Sequence, residues 1–450
     1  MYPVCVYNDN RITSLTSLWQ SLCQCVPALA GTPHPVIAFV GAGGKTTWIY
    51  ELAKELRRQG KRVLITTTTK LYRPTRWAVL ENDVDRIRQT LDDEGIVITG
   101  IPVGTEKITA LDDDVLVEAT QFADVTLVEA DGARHKPCKV FGPHEPVIPR
   151  GCHAICALMG MNGIGQTLET ACFRFERVPL PVDTVMTPPV LANLWKTQVV
   201  DYLEWEYSQI PLVPIIHQAG TMKLQHMGED ILCRLGRQGI ISSVPVDVAF
   251  IYMAAGFGRR FGRNKLLASV KGQPLFSYGL GHLIDTQHRL QQNGVTSAVY
   301  VVSQYDEILQ AARDAGVSAV ANPHAAEGMA ASIRLGVYAA QTARHWAFIA
   351  ADQPGLGADI IASWIEKFFR SSHSLGAVSV GGKRRGSPAI FANAYKDELL
   401  ALRGDIGGRD ILRRHGNEVW VYPLSRDTII DIDTPEVLEQ YEKTFITESS

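Results

Sequence analysis

The chain has 450 residues, 46% hydrophobic and 20% charged, with a net charge of −3. That length exceeds what a single core needs, so two domains are expected. The near-neutral balance excludes a general attraction to nucleic acid or anionic membrane, so any anion binding has to come from local loops.

No run of about 18 uncharged apolar residues is present, so no spanning helix is expected. MYPVCVYNDNR at 1–11 lacks a basic stretch followed by an apolar one, so no signal peptide is expected either. The cysteines, at 5, 23, 25, 138, 152, 156, 172 and 233, are scattered and form no pair of CxxC clusters. They read as buried or free thiols of a cytoplasmic protein, with a metal or selenium role for one of them as the alternative.

In chain order, the first half alternates strands and helices. VIAFVG at 36–41 reads as a buried strand, and a helical pattern runs from about Thr46 to Arg58. KRVLITTTT at 61–69 and DVTLVEADG at 124–132 read as further strands, then AICALMG at 154–160 and PLVPIIHQ at 211–218. GIISSVP at 239–245 looks like a connector. A second series follows: VAFIYMAAG, SAVYVVS at 297–303, the helical YDEILQAARDAG, and HWAFIAADQP at 345–354. GAVSVGG and GSPAIF read as a strand pair around the basic stretch GGKRRG at 381–386, which suits either an anionic substrate or a solvated hairpin turn. Short apolar runs separated by helices imply a parallel α/β sheet in each half. The expected domains are 1–240 and 246–450.

GAGGKTT at 41–47 lies between a strand and a helix, the context of a phosphate loop. The backbone of Gly41, Gly43 and Gly44 and the helix N-terminus can surround a phosphate. Lys45 would reach outer phosphates and the Thr46 hydroxyl would bind Mg²⁺, with Thr47 completing the motif. The usual pattern has a glycine where Phe39 stands, so this is a shortened variant; a structural glycine turn is the plain alternative. Glu129 and Asp131 close a later strand, on one face by alternation, where Mg²⁺-organising acids sit. Solvated acids at a strand end are the alternative.

MAAGFGRRFGRNK at 253–265 also follows a strand. A dinucleotide loop needs G-x-G-x-x-G with a helix starting inside it. Here the third glycine is displaced to Gly262, and a helical pattern resumes only near Pro274. The cationic residues suit a triphosphate, whose charge must be neutralised during attack at the α-phosphorus. Asp352, at a strand end, would hold Mg²⁺ for that attack. Asp433 is a second candidate ligand, although DTPE also reads as a helix start capped by Asp433 or Thr434. His324 and His415 have no evident partner and are assigned nothing.

The first half resembles the accessory proteins of selenium-dependent molybdenum hydroxylases (YqeC type). The resemblance rests on GAGGKTT, TTTTK at 66–70 and EADGARHKPCKVFGPHEPVIP at 129–149, and covers most of 30–240. After PLVPII, where an Asn-x-x-Asp base-reading element would stand, the chain has His217-Gln218-Ala219-Gly220. ATP or GTP therefore both remain open for this half.

The second half resembles the nucleotidyltransferases, most of all molybdenum cofactor cytidylyltransferase (MocA type). The matching pieces over 248–445 are MAAGFGRRFGRNK, NPHAAEGMAASI, AADQP, GSPAIF, LRGDIGGRDIL and DIDTPEVL. The resemblance implies that Ala255, Gly256 and Gly258 cradle the nucleotide and that Asn322 and Ser332 lie near base and ribose. It implies that Arg260 and Lys265 stabilise charge on the α-phosphate and the leaving pyrophosphate.

The resulting expectation is an α/β protein of two three-layer domains. The N-terminal one is P-loop NTPase-like, and the C-terminal one is a nucleotidyltransferase with a Rossmann-like mixed sheet. The C-terminal half would transfer CMP from CTP to the molybdopterin cofactor, with Mg²⁺. The N-terminal half would assist maturation of a molybdenum hydroxylase apoenzyme; no nucleic acid or membrane partner is expected. The rivals are a GTP-dependent or sugar-phosphate nucleotidyltransferase and a nucleotide-gated cofactor chaperone.

Overall fold

The computed structural model describes residues 4–8, 11–134, 136–258, 261, 264–425 and 428–447. The chain divides into two compact units, residues 1–245 with 292–294, and residues 246–291 with 295–450. Both are mixed α/β with parallel-rich sheets. Among the described residues no helix is long and apolar enough to cross a membrane.

The first unit is built on strands β1 (Val4–Asn8), β2 (Arg11–Leu15), β3 (Val36–Gly41), β4 (Val63–Thr67), β5 (Ala78–Val79), β6 (Ile96–Thr99), β7 (Val125–Glu129), β8 (Ala154–Gly160), β9 (Leu212–His217) and β10 (Gly239–Ser242). Their order in one sheet is β2-β1-β10-β9-β8-β3-β7-β4-β6-β5. Strand β3 lies between β7 and β8, parallel to both. The central strands β3, β4, β7 and β8 are buried on both faces, whereas the edge strand β2 is largely exposed. Ile37 and Phe39 join one core with Trp48, Ile49, Leu52 and Leu56 of helix α1 (Lys45–Arg58). Ala38 and Val40 join a second core with Ile231 and Leu232 of helix α2 (Met222–Leu235). Helix α1 forms because apolar residues recur at helical spacing, and Arg57 and Arg58 sit in its last turn, where the helix dipole favours cations.

The stretch expected as a connector at 239–245 is in part strand β10. It pairs antiparallel with β1, Val4 opposite Ser242, and parallel with β9. Four residues carry too little local signal to be read as a strand; the pairing comes from chain far away in sequence.

The second unit carries β11 (Val248–Met253), helix α3 (Leu275–Gln292), β12 (Ser297–Ser303), α4 (Asp306–Asp314), β13 (Ser318–Ala321), α5 (Met329–Ala339), β14 (His345–Ala350), α6 (Ala358–Arg370), β15 (Leu375–Val380), β16 (Lys383–Ala392), β17 (Val419–Leu424) and α7 (Pro435–Thr447). The sheet order is β13-β12-β11-β14-β16-β15-β17. Strands β13, β12, β11 and β14 are mutually parallel, while β16 is antiparallel to both neighbours. Phe250 and Tyr252 face a core with α3 and α6, and Ala249 and Ile251 face one with α5. The chain leaves β11 toward β12 on one side and later returns on the other with β14. The crevice between the ends of β11 and β14 is thus a topological switch point, where open α/β sheets bind ligands.

The basic stretch at 381–386 is mostly strand. Only Gly381 and Gly382 form the turn, with φ of 57° and 77°, and Val380 faces Lys383 across it. Two residues at positive φ are what a tight hairpin requires.

Candidate functional site

In the second unit, the loop after β11 is held by its carbonyls. Ser303 Oγ donates to the Ala254 carbonyl at 2.8 Å, Gln304 Nε2 to that of Ala255 at 2.7 Å, and the Tyr305 hydroxyl to that of Gly256 at 3.0 Å. These acceptors would repel a phosphate, and the residues ending β12 occupy them instead. Sequence reading missed this trio, since it lies one strand away from the loop. Gly256 is open, with nothing within 4 Å of where a Cβ would stand, and Gly258 adopts φ 60°. Arg260 lies outside the described residues.

Lys265 is buried at the crevice. Its Nζ lies 2.6 Å from Asp352 Oδ2 and 2.8 Å from Asp433 Oδ1. Burial works against the ammonium, but the two carboxylates outweigh it and raise its pKa. Burial raises the pKa of Asp352, and Lys265 only partly offsets that. Thr434 caps helix α7, its Oγ1 accepting from the Val437 N–H at 3.4 Å, with Pro435 opening the helix. Asp433 is thereby released from capping and faces Lys265.

Two hard carboxylates around one cation fit Mg²⁺, which commonly takes one or two protein carboxylates and completes its shell with phosphate oxygens and water. Among the described residues no group of three or more His, Cys, Asp or Glu side chains could hold a metal by itself.

Asn322 and Ser332 come together but turn to each other. Asn322 Nδ2 donates to Ser332 Oγ at 2.8 Å, its Oδ1 accepts from the His324 N–H at 2.9 Å, and both residues are buried. Their role in this structure is to fix the turn leading into α5. Beside them, Gly328 at φ 101° touches the backbone of Gly404, and the Ala330 N–H donates to the Gly404 carbonyl at 3.0 Å. The EGM and LRGD stretches therefore form one surface. An apolar depression near the ends of β11 and β14 is lined by Met253, Ile333, Phe348, Ala350, Ser387 and Phe391.

The glycine loop of the first unit follows β3. Gly41, Gly43 and Gly44 have φ of 91°, 76° and 105°. A Cβ on Gly43 would stand 2.2 Å from the Gly160 nitrogen, and one on Gly41 2.3 Å from the Leu158 carbonyl oxygen. Lys45 is buried; its Nζ donates to the Gly41 carbonyl at 2.6 Å and pairs with Asp131 Oδ1 at 3.1 Å. Thr46 Oγ1 donates to Glu129 Oε2 at 2.8 Å, so one ion could meet both. Burial raises the Glu129 pKa against the pull of Lys45. Thr47 continues the first turn of α1.

Asp131 is fully buried and committed elsewhere than expected: to Lys45, to Lys139 at 2.9 Å, and to the Gly41 N–H at 2.9 Å. Lys139 also pairs with Glu145 at 2.6 Å, and Arg174 meets the same carboxylate. Burial would raise Glu145, but the Arg174 and Lys139 hydrogen bonds hold it at about 2. This chain of charges was invisible in sequence, because a lysine flanked by apolar residues has no local signature. The TTTTK stretch meets it too, Thr67 Oγ1 donating to the Glu129 carbonyl at 2.8 Å. His217 presses on the loop, its Cδ2 2.8 Å from where a Gly44 Cβ would be.

Comparison with known proteins gives two family matches. Residues 37–176 match the YqeC protein family, and residues 250–419 match the MobA-like NTP transferase domain. The chain therefore carries a YqeC segment and, in its C-terminal half, a nucleotidyltransferase domain. A protein of Escherichia coli (strain K12) called "Uncharacterized protein YqeC" is 35% identical over 142 residues, 30% of this chain and 55% of that protein. The chain thus matches about half the length of that relative.

Rv0371c from Mycobacterium tuberculosis H37Rv is similar in structure, at 18% identity and TM-score 0.37, covering 44% of this chain and 98% of that one. Molybdopterin-guanine dinucleotide biosynthesis protein A from Archaeoglobus fulgidus is similar at 16% identity and TM-score 0.34, covering 44% and 99%.

Proposed function

We propose, for a chain that joins a YqeC segment to a MobA-like NTP transferase domain, that the C-terminal half transfers CMP from CTP to molybdenum-molybdopterin. The observation that carries this reading is Lys265 set between Asp352 and Asp433 at the switch-point crevice, beside an open glycine loop. An oxygen of the acceptor's terminal phosphate attacks the α-phosphorus of CTP. A P–O bond forms there as the bond to the oxygen bridging the β-phosphate breaks, and pyrophosphate leaves with that electron pair. Magnesium held by Asp352 and Asp433 supplies neutralisation of phosphate charge when bound. Lys265 exchanges its carboxylate partners for phosphate oxygens as the triphosphate enters. Ala255, Gly256 and Gly258 present backbone to the phosphates, and the motif's resemblance assigns Arg260, outside the described residues, to the α-phosphate. Positioning and charge neutralisation are enough for this chemistry, with no covalent intermediate on the protein. Cytosine as the base rests on the resemblance of the loop and the DQP stretch to the cytidylyltransferases.

The N-terminal half is read as a cytoplasmic P-loop domain for ATP or GTP, with Mg²⁺ between Thr46 and Glu129. Asp131 acts on Lys45 rather than on the ion, since three donors already surround it. This domain assists delivery of the finished cofactor to a molybdenum hydroxylase, and the junction between domains falls after β10, within 243–246. Fusion keeps the product near its next handler.

The test offers the purified full-length protein CTP, GTP and ATP in turn, with molybdenum-molybdopterin and Mg²⁺, and weighs the products. The cytosine dinucleotide and pyrophosphate are expected with CTP. Product with GTP alone would reassign the base, and no product with any nucleotide would overturn the transferase reading.

A further inference from the structure

The second carboxylate of the site, Asp433, belongs to an irregular stretch between β17 and α7, so something other than secondary structure must hold it. Two bonds tie that stretch to the residues following β14. The Ile432 N–H donates to the Asp352 carbonyl at 3.0 Å. Gln353 Nε2 donates to Asp431 Oδ1 at 2.8 Å. Ile432 between them is fully buried and packs with Phe261, Leu275 and Tyr441. In extended backbone, residues two apart share a side. Asp431 and Asp433 fit that alternation, one meeting Gln353 and the other Lys265.

Gln353 is only 4% exposed, and its Oε1 is buried without a hydrogen-bond partner. Burying an amide with an unmet acceptor costs about 1–3 kcal/mol, so an apolar side chain would serve packing better. What the amide adds is the bond to Asp431. That bond fixes the Asp431 carboxylate beside the residues that follow β14.

We propose that Gln353 is a positioning residue: by clamping Asp431 it sets Asp433 opposite Asp352 and completes the divalent-cation site. This rests on the reading of Asp352 and Asp433 as the metal pair.

The experiment titrates Mn²⁺ into the full-length protein with CTP and follows free Mn²⁺ by its electron paramagnetic resonance signal. Asp352→Ala defines the component belonging to this site. Gln353→Glu places a carboxylate against Asp431 and is expected to weaken that component by about tenfold or more, as loss of a supporting partner does at metal sites. Gln353→Met, of similar volume, is expected to weaken it less. The double variant Gln353→Glu with Asp431→Asn exchanges amide and carboxylate, keeps a bond of the same kind, and should recover most of the affinity. If Asp352→Ala binds Mn²⁺ as the parent does, the metal assignment falls and this inference with it. If Asp352→Ala loses the component while Gln353→Met and Gln353→Glu both stay within about twofold, or the exchange gives no recovery, the clamp alone is wrong.

Discussion

Removing the Asp352 carboxylate would leave Lys265, among the described residues, paired with Asp433 and take away the half-buried anion at the switch point. Metal-assisted neutralisation is worth several kcal/mol, so Asp352→Ala should lower kcat by at least about 1000-fold, measured by pyrophosphate release. A loss below tenfold would remove Asp352 from the chemistry. Burial raises the Asp352 pKa above the ordinary 3.8, and the group must be ionised to hold a cation. The acid limb of the kcat/KM profile, which reports the free enzyme, should therefore fall at a pH above that of a free aspartate; a midpoint at the ordinary value would contradict it. His217 titrates in the opposite sense. Burial lowers its imidazole to about 4 from 6.5. Between those values the unfolded chain takes up the proton and the folded one does not, so stability falls as pH drops. This one group should account for about 2 kcal/mol lost between pH 7 and 5. Urea unfolding of His217→Gln should show a correspondingly smaller loss; equal losses would exclude His217 as the cause. At this scale Asp352 was legible in sequence, because an acid closing an apolar strand has a local signature. Gln353 was not, since its meaning lies in Asp431, far downstream.

At the scale of elements, the two glycine loops make contrasting demands. Gly43 combines φ 76° with backbone 2.2 Å from any added Cβ. Gly43→Ala must shift strand β8 or the loop, and is expected to destabilise the protein by about 2 kcal/mol or more. Gly256 lies in open space at the mouth of the crevice, without a positive φ. Gly256→Ala should change stability by less than about 0.5 kcal/mol while raising the KM for CTP, because the new methyl fills room a phosphate needs. Thermal unfolding and initial-rate kinetics read both; an unchanged KM would detach Gly256 from the nucleotide. The strands bearing these loops were legible because they are short, apolar and buried on both faces. Strand β10 was not, for its pairing partner β1 lies at the other end of the unit. The alternatives at DTPE could be separated only by seeing which side chain caps α7: Thr434 does, and Asp433 is left for Lys265.

The whole molecule holds two glycine loops on two separate sheets, and the proposed function assigns a nucleotide to each. Equilibrium dialysis with labelled CTP and, separately, a labelled purine triphosphate tests this. Lys45→Ala with Thr46→Ala should lose purine binding and keep CTP, while Asp352→Ala should weaken CTP binding and keep the purine. Loss of both ligands in one variant would mean a single site. The division into two α/β halves was legible because each half opens with a strand feeding such a loop; the sheet orders were not, since register is set by non-local pairing.

That non-locality has a consequence in time. Val4 pairs with Ser242, so β1 cannot take its place until β10 has been made. At about 5–20 residues per second, the ribosome imposes a wait of roughly 10 to 50 s between the two. Strand β2 covers one edge of β1 during that interval. The other edge, the backbone that later pairs with β10, stays open, and Val4 and Val6 on one face still lack their core; an open edge invites wrong partners. Synthesis speed through the stretch before Ser242 therefore sets how long that edge stays unpaired.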